Sequence, residues 1–429
     1  GPNGIPRRVE RPRIDKRGQG YRLRGSRGGP SERSNMRFVG IDIASEVHVA
    51  AVLDEDARVL VRPTSFGEDA GGYAKLRELL GPPGDVLVAM EATGHYWQNL
   101  FAFLVGEGFA VALLNPLRTR RFAGEDLERT KTDAIDALGI ARFAAQKRPA
   151  VTRLADEATR DLRELVRLRV RLRQDFDARV HQLHRLVDLG FPEFTRHVHT
   201  LSSELATAIL CNFPTAAAFH GLPVRRLARV RYDGRHAVGE PLARDLIEAA
   251  RSSVGQHHGQ AYQVSVRYAC EAIELLRRQL RELERDIETR LRQHEVGKLL
   301  TTIDGIGTQT AARLVGELGD PSEFRSAAAL VSYLGLAPGR RDSGKRQGRH
   351  APLCRIGHAA LRKALWMPTL TAVRTNVWLK TYYEGLRARG KPTRVALVAT
   401  MRKLVSVVYA VARERRPFVP ELGRRGVTA

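Results

Sequence analysis

The spacing of apolar residues changes period along this chain, and that change restricts what the chain can fold into. From Met36 the segments MRFVGIDIA, EVHVAAVLD and ARVLVRP alternate or concentrate β-branched residues between short polar breaks, a pattern typical of strands. Connections this short predict a three-stranded antiparallel meander. Beyond residue 150 the apolar residues recur every three or four positions, which is typical of amphipathic helices.

The segment between the meander and residue 150 alternates helical and strand patterns. The patterns predict a helix over about 72–80, a strand at DVLVAME, a helix at GHYWQNLFAFLVGEG, a strand at FAVALLN and a helix over about 132–146. A meander followed by alternating helices and strands is typical of a ribonuclease-H-like α/β fold with a mixed sheet. We therefore predict such a domain over residues 36–150.

Two long amphipathic helices are predicted within a helical, coiled-coil region over residues 151–295. We expect them to pair with each other or with another subunit, because each has an apolar stripe that needs a partner. The stretch 188–260 between them has the pattern of shorter helices. The apolar positions are Leu165, Leu168, Leu172, Phe176, Val180, Leu183 and Val187 in the first helix, and Ile273, Leu276, Leu280, Leu283, Ile287 and Leu291 in the second.

A third, mainly helical unit is predicted over residues 296–413. Gly305 and Gly307, followed by Ala311 and Leu314, match a helix-hairpin-helix, in which a glycine turn and the next helix N-terminus offer backbone N–H groups to a phosphate. The alternative interpretation is a tight turn between two helices.

Both ends of the chain have the composition of tails. Residues 1–35 are basic, rich in glycine and without an apolar pattern, so we expect disorder there. This segment begins Gly-Pro, which is typical of a protease scar, and a nucleic-acid-binding arm is the other interpretation. Residues 414–429 are the second predicted tail.

The charge balance indicates a polyanionic partner. The chain has 71 lysines and arginines against 47 aspartates and glutamates, a formal net charge of +24. Arginine supplies most of this excess, and its planar guanidinium suits bidentate phosphate contacts. We therefore favour nucleic acid as the partner over a merely basic soluble surface.

Composition also argues against several classes of protein. The three cysteines lie far apart without a C-x-x-C pair, so neither a disulfide framework nor a zinc ribbon is indicated, and a reducing cytoplasm fits best. No window approaches the roughly eighteen uninterrupted apolar residues of a membrane span. We therefore expect no membrane role.

Four acidic residues are placed so that the predicted fold would bring them together. Asp42 lies in the middle of the first strand, Glu91 ends the strand VLVAME, and Asp133 and Asp136 share one face of a helix because they are three residues apart. Such a cluster suits phosphoryl transfer, in which two divalent ions about 4 Å apart, Mg²⁺ or Mn²⁺, stabilise the attacking and leaving oxygens. The structural alternatives are solvated strand ends and a capping box, Thr130-x-x-Asp133.

A serine in a basic loop is a second candidate for the chemistry. Ser343 lies in PGRRDSGKRQGRH, where crowded cations would hold a phosphate and neutralise the charge that develops during attack. A Ser-Gly pair in such a loop is also a common turn. The basic neighbours are Arg340, Arg341, Lys345, Arg346 and Arg349.

Taken in order, these motifs resemble a known family. GIDIASEVHVA, VAMEATGHYW, NPLRTRRFAGEDLERTKTDAIDALGIARF, the glycine turn at 305–307 and LVSYLGLAPGRRDSGKRQGRHAPLCRIGHAALRKALW resemble the DEDD transposases of bacterial insertion sequences, relatives of the Piv-type DNA invertases. The likeness covers about Met36 to Tyr409 and is weak only between the two long helices.

The resemblance implies a RuvC-like catalytic domain whose acids match Asp42, Glu91, Asp133 and Asp136, a coiled-coil linker, and a C-terminal transposase domain whose serine matches Ser343. In that family the serine is understood to link covalently to DNA, while a magnesium-binding carboxylate site comes from another subunit, which implies a dimer or tetramer. Members also bind a structured non-coding RNA that pairs with target and donor DNA.

Two features depart from the family pattern: the basic segment 1–35, and Asp342, which precedes Ser343 where many relatives have a small polar residue. The expectation is a cytoplasmic, nucleoid-associated bacterial recombinase. Two other hypotheses stay open at this point. One is a hydrolytic RuvC-like junction nuclease that uses water as the nucleophile, and the other is a non-catalytic nucleic-acid-binding protein.

Overall fold

The computed structural model describes residues 36–123, 132–153, 155–337, 353 and 356–420. The chain divides into two compact units between residues 154 and 155. The first is a mixed α/β unit built on a five-stranded sheet, and the second is mainly helical. The prediction of an N-terminal α/β domain followed by a helical region is confirmed.

The sheet of the first unit combines antiparallel and parallel strands in the order β3-β2-β1-β4-β5. Strands β1, β2 and β3 form the predicted antiparallel meander. Strand β4 pairs with β1 in parallel, and β5 pairs with β4 in parallel. The strands are β1 (Arg37–Asp42), β2 (Val47–Leu53), β3 (Val59–Gly67), β4 (Val86–Glu91) and β5 (Ala110–Leu114).

Helices cover both faces of this sheet. Helices α1 and α2 pack on the face that presents Val39, Ile41 and Val88, and α3 and α4 pack on the face that presents Phe38 and Leu87. Helix α3 follows β5 directly and was not predicted from the sequence. The helices are α1 (Ala70–Leu80), α2 (Trp97–Gly106), α3 (Pro116–Ala123) and α4 (Asp133–Lys147).

Gly40 in β1 allows α4 to lie directly against the sheet. A Cβ at this position would stand 2.2 Å from the carbonyl oxygen of Ala137 and 2.2 Å from the backbone nitrogen of Ala141. Both neighbours are helix backbone, which cannot move aside without shifting the whole helix. Glycine at this position therefore sets the distance between α4 and the strand that ends in Asp42.

We expect Gly40→Ala to lower the free energy of unfolding by about 3 kcal/mol, because the added methyl group overlaps helix backbone. Urea denaturation of the full chain measures this loss. Gly139→Ala is the matched control: Gly139 lies in α4, the helix that packs on Gly40, and no neighbouring atom in the described part of the chain lies within 4 Å of its new Cβ. We expect this substitution to stabilise the protein by about 0.5–1 kcal/mol. Equal urea midpoints for Gly40→Ala and the unsubstituted protein would contradict this account.

Two long helices form the axis of the second unit. Helices α5 (Glu157–Gly190) and α10 (Gln260–Gln293) are 34 residues each and confirm the helical prediction. They run antiparallel, because Arg290 pairs with Asp161 near one end and Tyr262 bonds to the carbonyl of Leu186 near the other. One of the two predicted arrangements, pairing within the chain, is therefore present.

Each end of this helix pair has its own core. The start of α5 and the end of α10 pack with the helices that follow residue 294, and their other ends pack with the short helices between them. A two-stranded hairpin, β6 (Arg231–Tyr232) and β7 (His236–Ala237), interrupts these short helices. The remaining helices are α6 (Phe194–His197), α7 (Glu204–Asn212), α8 (Val224–Ala228), α9 (Glu240–Arg251), α11 (Glu295–Leu300), α12 (Thr308–Leu318), α13 (Ala327–Tyr333), α14 (Ala359–Ala364), α15 (Trp366–Thr375), α16 (Val377–Ala388) and α17 (Thr393–Glu414).

Helix α17 is the one described helix that is long and apolar enough to cross a membrane, but 67% of its most apolar window is buried inside the protein. Leu404, Val408 and Val411 are almost fully buried in the core of the second unit. The helix therefore has the surroundings of a core helix.

Candidate active site

Asp42 and Glu91 stand side by side at one edge of the sheet. Each is the last residue of its strand, β1 and β4 respectively, although the sequence had placed Asp42 in the middle of a strand. These parallel strands pair with Ile41 opposite Met90, so the next residue on each strand is also adjacent. Because side chains alternate along a strand, both acids belong to the face that α3 and α4 cover.

Thr119 of α3 holds the Glu91 carboxylate. Its hydroxyl donates a hydrogen bond to Glu91 Oε1 and also lies 3.1 Å from the carbonyl oxygen of Pro116. Thr119 is 7% exposed, so solvent competes little for this bond. Sequence reasoning missed this residue because the segment PLRTRRFA has no apolar period that would indicate a helix.

Asp133 and Asp136 occupy the first turn of α4. The helix begins at Asp133, and Thr132 caps it by accepting a hydrogen bond from the backbone nitrogen of Ile135 at 3.3 Å. The cap that the sequence suggested, Thr130, lies outside the described residues. Asp136 is half-buried and Asp133 is exposed.

The direction of α4 brings this first turn toward the end of β1. Phe38, early in the strand, packs in one cluster with Phe143, late in the helix. Gly40 lies beneath Ala137 and Ala141, so the helix runs antiparallel to the strand. Its first turn is therefore directed toward the end of the strand at Asp42, and the positive end of the helix dipole faces the acids.

The four acids thus belong to elements that meet at one edge of the sheet. Their oxygens are hard donors, which Mg²⁺ and Mn²⁺ prefer, so the donor set fits such an ion chemically. Within the part of the chain that the structure describes, no three His, Cys, Asp or Glu side chains are grouped closely enough to hold a metal ion. Their role as metal ligands therefore stays a prediction.

A buried histidine network secures the backbone just after Asp42. His48 is fully buried, and its Nε2 lies 2.7 Å from Glu68 Oε2. The backbone nitrogen of Ala44 donates to His48 Nδ1 at 3.2 Å, so Nε2 carries the proton. Tyr73 and Asn99 also donate to the Glu68 carboxylate. Burial opposes ionisation of Glu68, but these hydrogen bonds outweigh it and lower its pKa.

The glycine turn predicted as a helix-hairpin-helix lies between α11 and α12. Gly305 has a φ of +99°, and a Cβ there would lie 2.7 Å from the Cβ of Ala372 in α15. Gly307 caps α12, and a Cβ there would meet nothing within 4 Å. Packing against Ala372 and a positive φ therefore require glycine at position 305, whereas the space beside Gly307 is unfilled by atoms of the described residues.

Ser343 lies outside the described residues, as do its basic neighbours Arg340, Arg341, Lys345, Arg346 and Arg349. The flanks of this segment are described, and they lie side by side. A Cβ at Gly357 would stand 2.4 Å from the backbone nitrogen of Gly335. The backbone nitrogen of His358 donates to the carbonyl of Tyr333 at 2.9 Å. The two flanks are therefore fastened to each other.

An ion pair lies beside these flanks. Arg167 of α5 donates to both carboxylate oxygens of Glu317, at 3.1 and 2.9 Å, and His358 Nε2 lies 3.8 Å from the same carboxylate. Burial raises the pKa of Glu317, but the interactions with His358 and Arg167 outweigh it and bring the pKa to about 2. Glu317 therefore stays charged at neutral pH and links α5 to the start of α14.

Two transposase families match this chain. Residues 39–192 match the DEDD transposase family of IS110, and residues 297–384 match the IS116/IS110/IS902 transposase family. The first match includes all four candidate acids, and the second includes the glycine turn and Ser343.

Full-length relatives agree with these matches. The chain is 27% identical over 382 residues to an uncharacterized 43.6 kDa protein of insertion element IS110 from Streptomyces coelicolor, covering 88% of this chain and 94% of the relative. It is 29% identical to a 44.8 kDa protein of insertion element IS116 from Streptomyces clavuligerus, covering 91% and 98%. It is 25% identical to the pilin gene-inverting protein of Moraxella bovis, covering 89% and 97%.

Proposed function

Because this chain belongs to the DEDD transposases of bacterial insertion sequences, we propose that it recombines DNA by phosphoryl transfer at a carboxylate site with a serine nucleophile. The transposase families support the general activity, a DNA transposase or recombinase. The observation that carries the chemistry is the adjacent placement of Asp42 and Glu91 at the ends of two parallel strands. The first turn of α4 adds Asp133 and Asp136 on the same face.

A ribonuclease-H-like, RuvC-like fold is part of this proposal. The strand order 3-2-1-4-5, with an antiparallel meander and two parallel strands, supports it. So does the placement of one acid at the end of β1 and another at the end of β4, since ligands and reacting groups in α/β sheets gather at the carboxyl ends of parallel strands.

The four carboxylates would hold Mg²⁺ or Mn²⁺. Such an ion, when bound, neutralises charge on the attacking and leaving oxygens of the phosphate. Thr119 keeps the Glu91 carboxylate oriented, and Gly40 lets α4 approach closely enough to bring Asp136 to the same edge. The hydrogen bond from the backbone nitrogen of Ala44 to His48 holds the backbone two residues after Asp42 in place.

Ser343 would supply the nucleophile. Its Oγ gives up its proton and forms a bond to the scissile phosphorus while the bond from that phosphorus to one DNA oxygen breaks, and the departing oxygen takes up a proton to become a hydroxyl. The phosphodiester is thereby conserved as a serine ester. A hydroxyl end of the second DNA then attacks that ester, and the serine leaves in turn. Arg340, Arg341, Lys345, Arg346 and Arg349 would bind the phosphate during both steps.

Partners and location follow from the same proposal. Donor and target DNA would be bound together, with Gly305 and Gly307 offering backbone N–H groups to a phosphate in a helix-hairpin-helix. A structured non-coding RNA would guide the choice of both DNAs. A homodimer or tetramer would combine the carboxylates of one subunit with the serine of another. The protein would work in the cytoplasm, at the nucleoid.

The test is recombination by the purified full-length protein with the nucleic acid that copurifies with it. We expect sequencing of that nucleic acid to reveal one discrete structured RNA, and donor and target DNA to be joined without net hydrolysis when Mg²⁺ is present. EDTA should abolish joining. Cleaved DNA with free ends would support a junction nuclease instead, and no strand cleavage with any divalent ion would support a non-catalytic binding protein.

A further inference from the structure

A short basic segment lies at the end of the long helix pair that packs with the helices between α5 and α10. We name residues 224–239 the arginine hairpin; they comprise α8 and the β6–β7 hairpin. Five arginines within it are exposed to solvent, and the segment contains one acidic residue, Asp233. The arginines are Arg225, Arg226, Arg229, Arg231 and Arg235.

The hairpin has a defined shape because its turn is well bonded. Three residues, Asp233 to Arg235, join Tyr232 to its strand partner His236, and Asp233 and Gly234 adopt positive φ values of +53° and +75° within this loop. The Asp233 carboxylate accepts hydrogen bonds from the backbone nitrogens of Arg235 and His236, both at 3.0 Å. The imidazole of His236 adds a contact at 2.8 Å. The one carboxylate of the segment is therefore engaged in hydrogen bonds within the turn.

The base of the arginine hairpin is attached to the core. Leu227 is fully buried and packs with the long helices in one apolar cluster. The backbone nitrogen of Val238 donates to the carbonyl of Val230 at 3.0 Å, and that of Gly239 donates to Ala228 at 3.1 Å. The arginines are thus carried on a fixed base, which reduces the entropy lost when they bind a partner.

None of these five guanidinium groups has a carboxylate within ion-pair distance among the residues that the structure describes. The arginines of the adjacent helix α9 differ in this respect. Arg244 lies 2.7 Å from Glu240, and Arg251 lies 3.0 Å from Glu248. The exposed arginines of α9 are therefore neutralised by neighbouring carboxylates. The exposed arginines of the arginine hairpin keep an uncompensated positive charge.

We propose that the arginine hairpin, which contains neither the candidate acids nor Ser343, binds the phosphate backbone of duplex DNA. This inference adds a specific DNA contact to the proposed function. It rests on the proposed function, because that proposal identifies DNA as the substrate. A two-stranded ribbon fits the major groove of B-form DNA. The deep, narrow major groove of A-form RNA does not admit such an element, so the shape favours DNA.

The test is binding of the full-length protein to a 40-base-pair duplex of arbitrary sequence, by fluorescence anisotropy in EDTA, from 50 to 200 mM salt. EDTA removes any contribution of metal-dependent chemistry. In Arg229→Gln/Arg231→Gln/Arg235→Gln, loss of three phosphate contacts should reduce the slope of log affinity against log salt by about 2.7. The affinity of the unsubstituted protein should therefore fall about 40-fold more than that of the variant across this range.

The matched control is Arg244→Gln/Arg251→Gln, which removes exposed but paired arginines from the same region and should leave the slope within about 0.5 of the original. Arg235→Gln alone, expected to reduce the slope by about 0.9, replaces the triple variant if that variant does not fold. Equal slopes for the hairpin and control variants would overturn the proposal, even in a protein that recombines DNA. A loss confined to a structured RNA of equal charge would also overturn it.

Discussion

Asp42→Asn is expected to reduce the rate of DNA joining by about 10³-fold. The substitution keeps the shape of the side chain but removes the negative charge that would hold a divalent ion beside Glu91. Metal stabilisation of phosphoryl transfer amounts to several kcal/mol, and each 1.4 kcal/mol corresponds to a factor of ten in rate. The measurement is single-turnover joining of labelled donor and target DNA in Mg²⁺.

Asp85→Asn is the matched control for this substitution. Asp85 is exposed and directly precedes β4, at the opposite end of the same strand from Glu91. The chemical change is identical, and we expect joining to stay within twofold of the original rate. If Asp42→Asn joined DNA at the original rate while Mg²⁺ remained essential, Asp42 would not be a ligand of the ion.

Ser343→Ala is expected to abolish both the covalent protein–DNA adduct and the joined product. Removing a serine nucleophile in other enzymes lowers the rate by on the order of 10⁶-fold, because no other group takes over bond formation. The adduct is measured as labelled DNA that migrates with the protein on a denaturing gel. Binding of DNA should be unchanged, because alanine removes the hydroxyl oxygen and leaves the arginines in place.

Ser332→Ala provides the comparison, since Ser332 is an exposed serine of α13 on the near flank of the same segment. It should retain full joining and full adduct formation. Recombination by Ser343→Ala without any adduct would remove the serine from the chemistry. Water or a DNA hydroxyl would then be the nucleophile.

The architecture of the first unit was predictable because its strands have clear patterns. Short polar breaks required an antiparallel meander, and the following strands and helices required a mixed sheet, as observed. Helix α3 escaped prediction because its eight residues include three arginines and a proline. Phe122 anchors this helix by packing against the sheet. A contact between residues distant in sequence leaves no local sequence pattern.

The candidate site was predictable in its positions and not in its supporting contacts. Strand patterns and helix spacing were enough to place Asp42 and Glu91 on two neighbouring strands and Asp133 and Asp136 on one helix. The hydrogen bond from Thr119 to Glu91 and the one between His48 and Glu68 join segments that are distant in sequence, and only the folded chain brings them together. How closely four like charges approach would also depend on a divalent ion bound between them, and a sequence pattern does not encode that distance.

In the second unit, the apolar stripes were sufficient to predict α5 and α10. Residues 188–260 were not assigned, because their helices are short and are stabilised mainly by burial against the long pair. The arginine hairpin illustrates the difficulty. Its Asp-Gly turn is a recognisable hairpin signal, but its strands are only two residues long, too short for an alternating pattern.

The length of the antiparallel helix pair has a consequence for how much nucleic acid the protein covers. A helix of 34 residues extends roughly 50 Å at 1.5 Å per residue. The C-terminal helices are joined to one end of this pair and the arginine hairpin to the other. A straight duplex that touched both ends would span about fifteen base pairs, at 3.4 Å per step. If the duplex binds at both ends, the length of the pair would set the length of DNA that this unit covers.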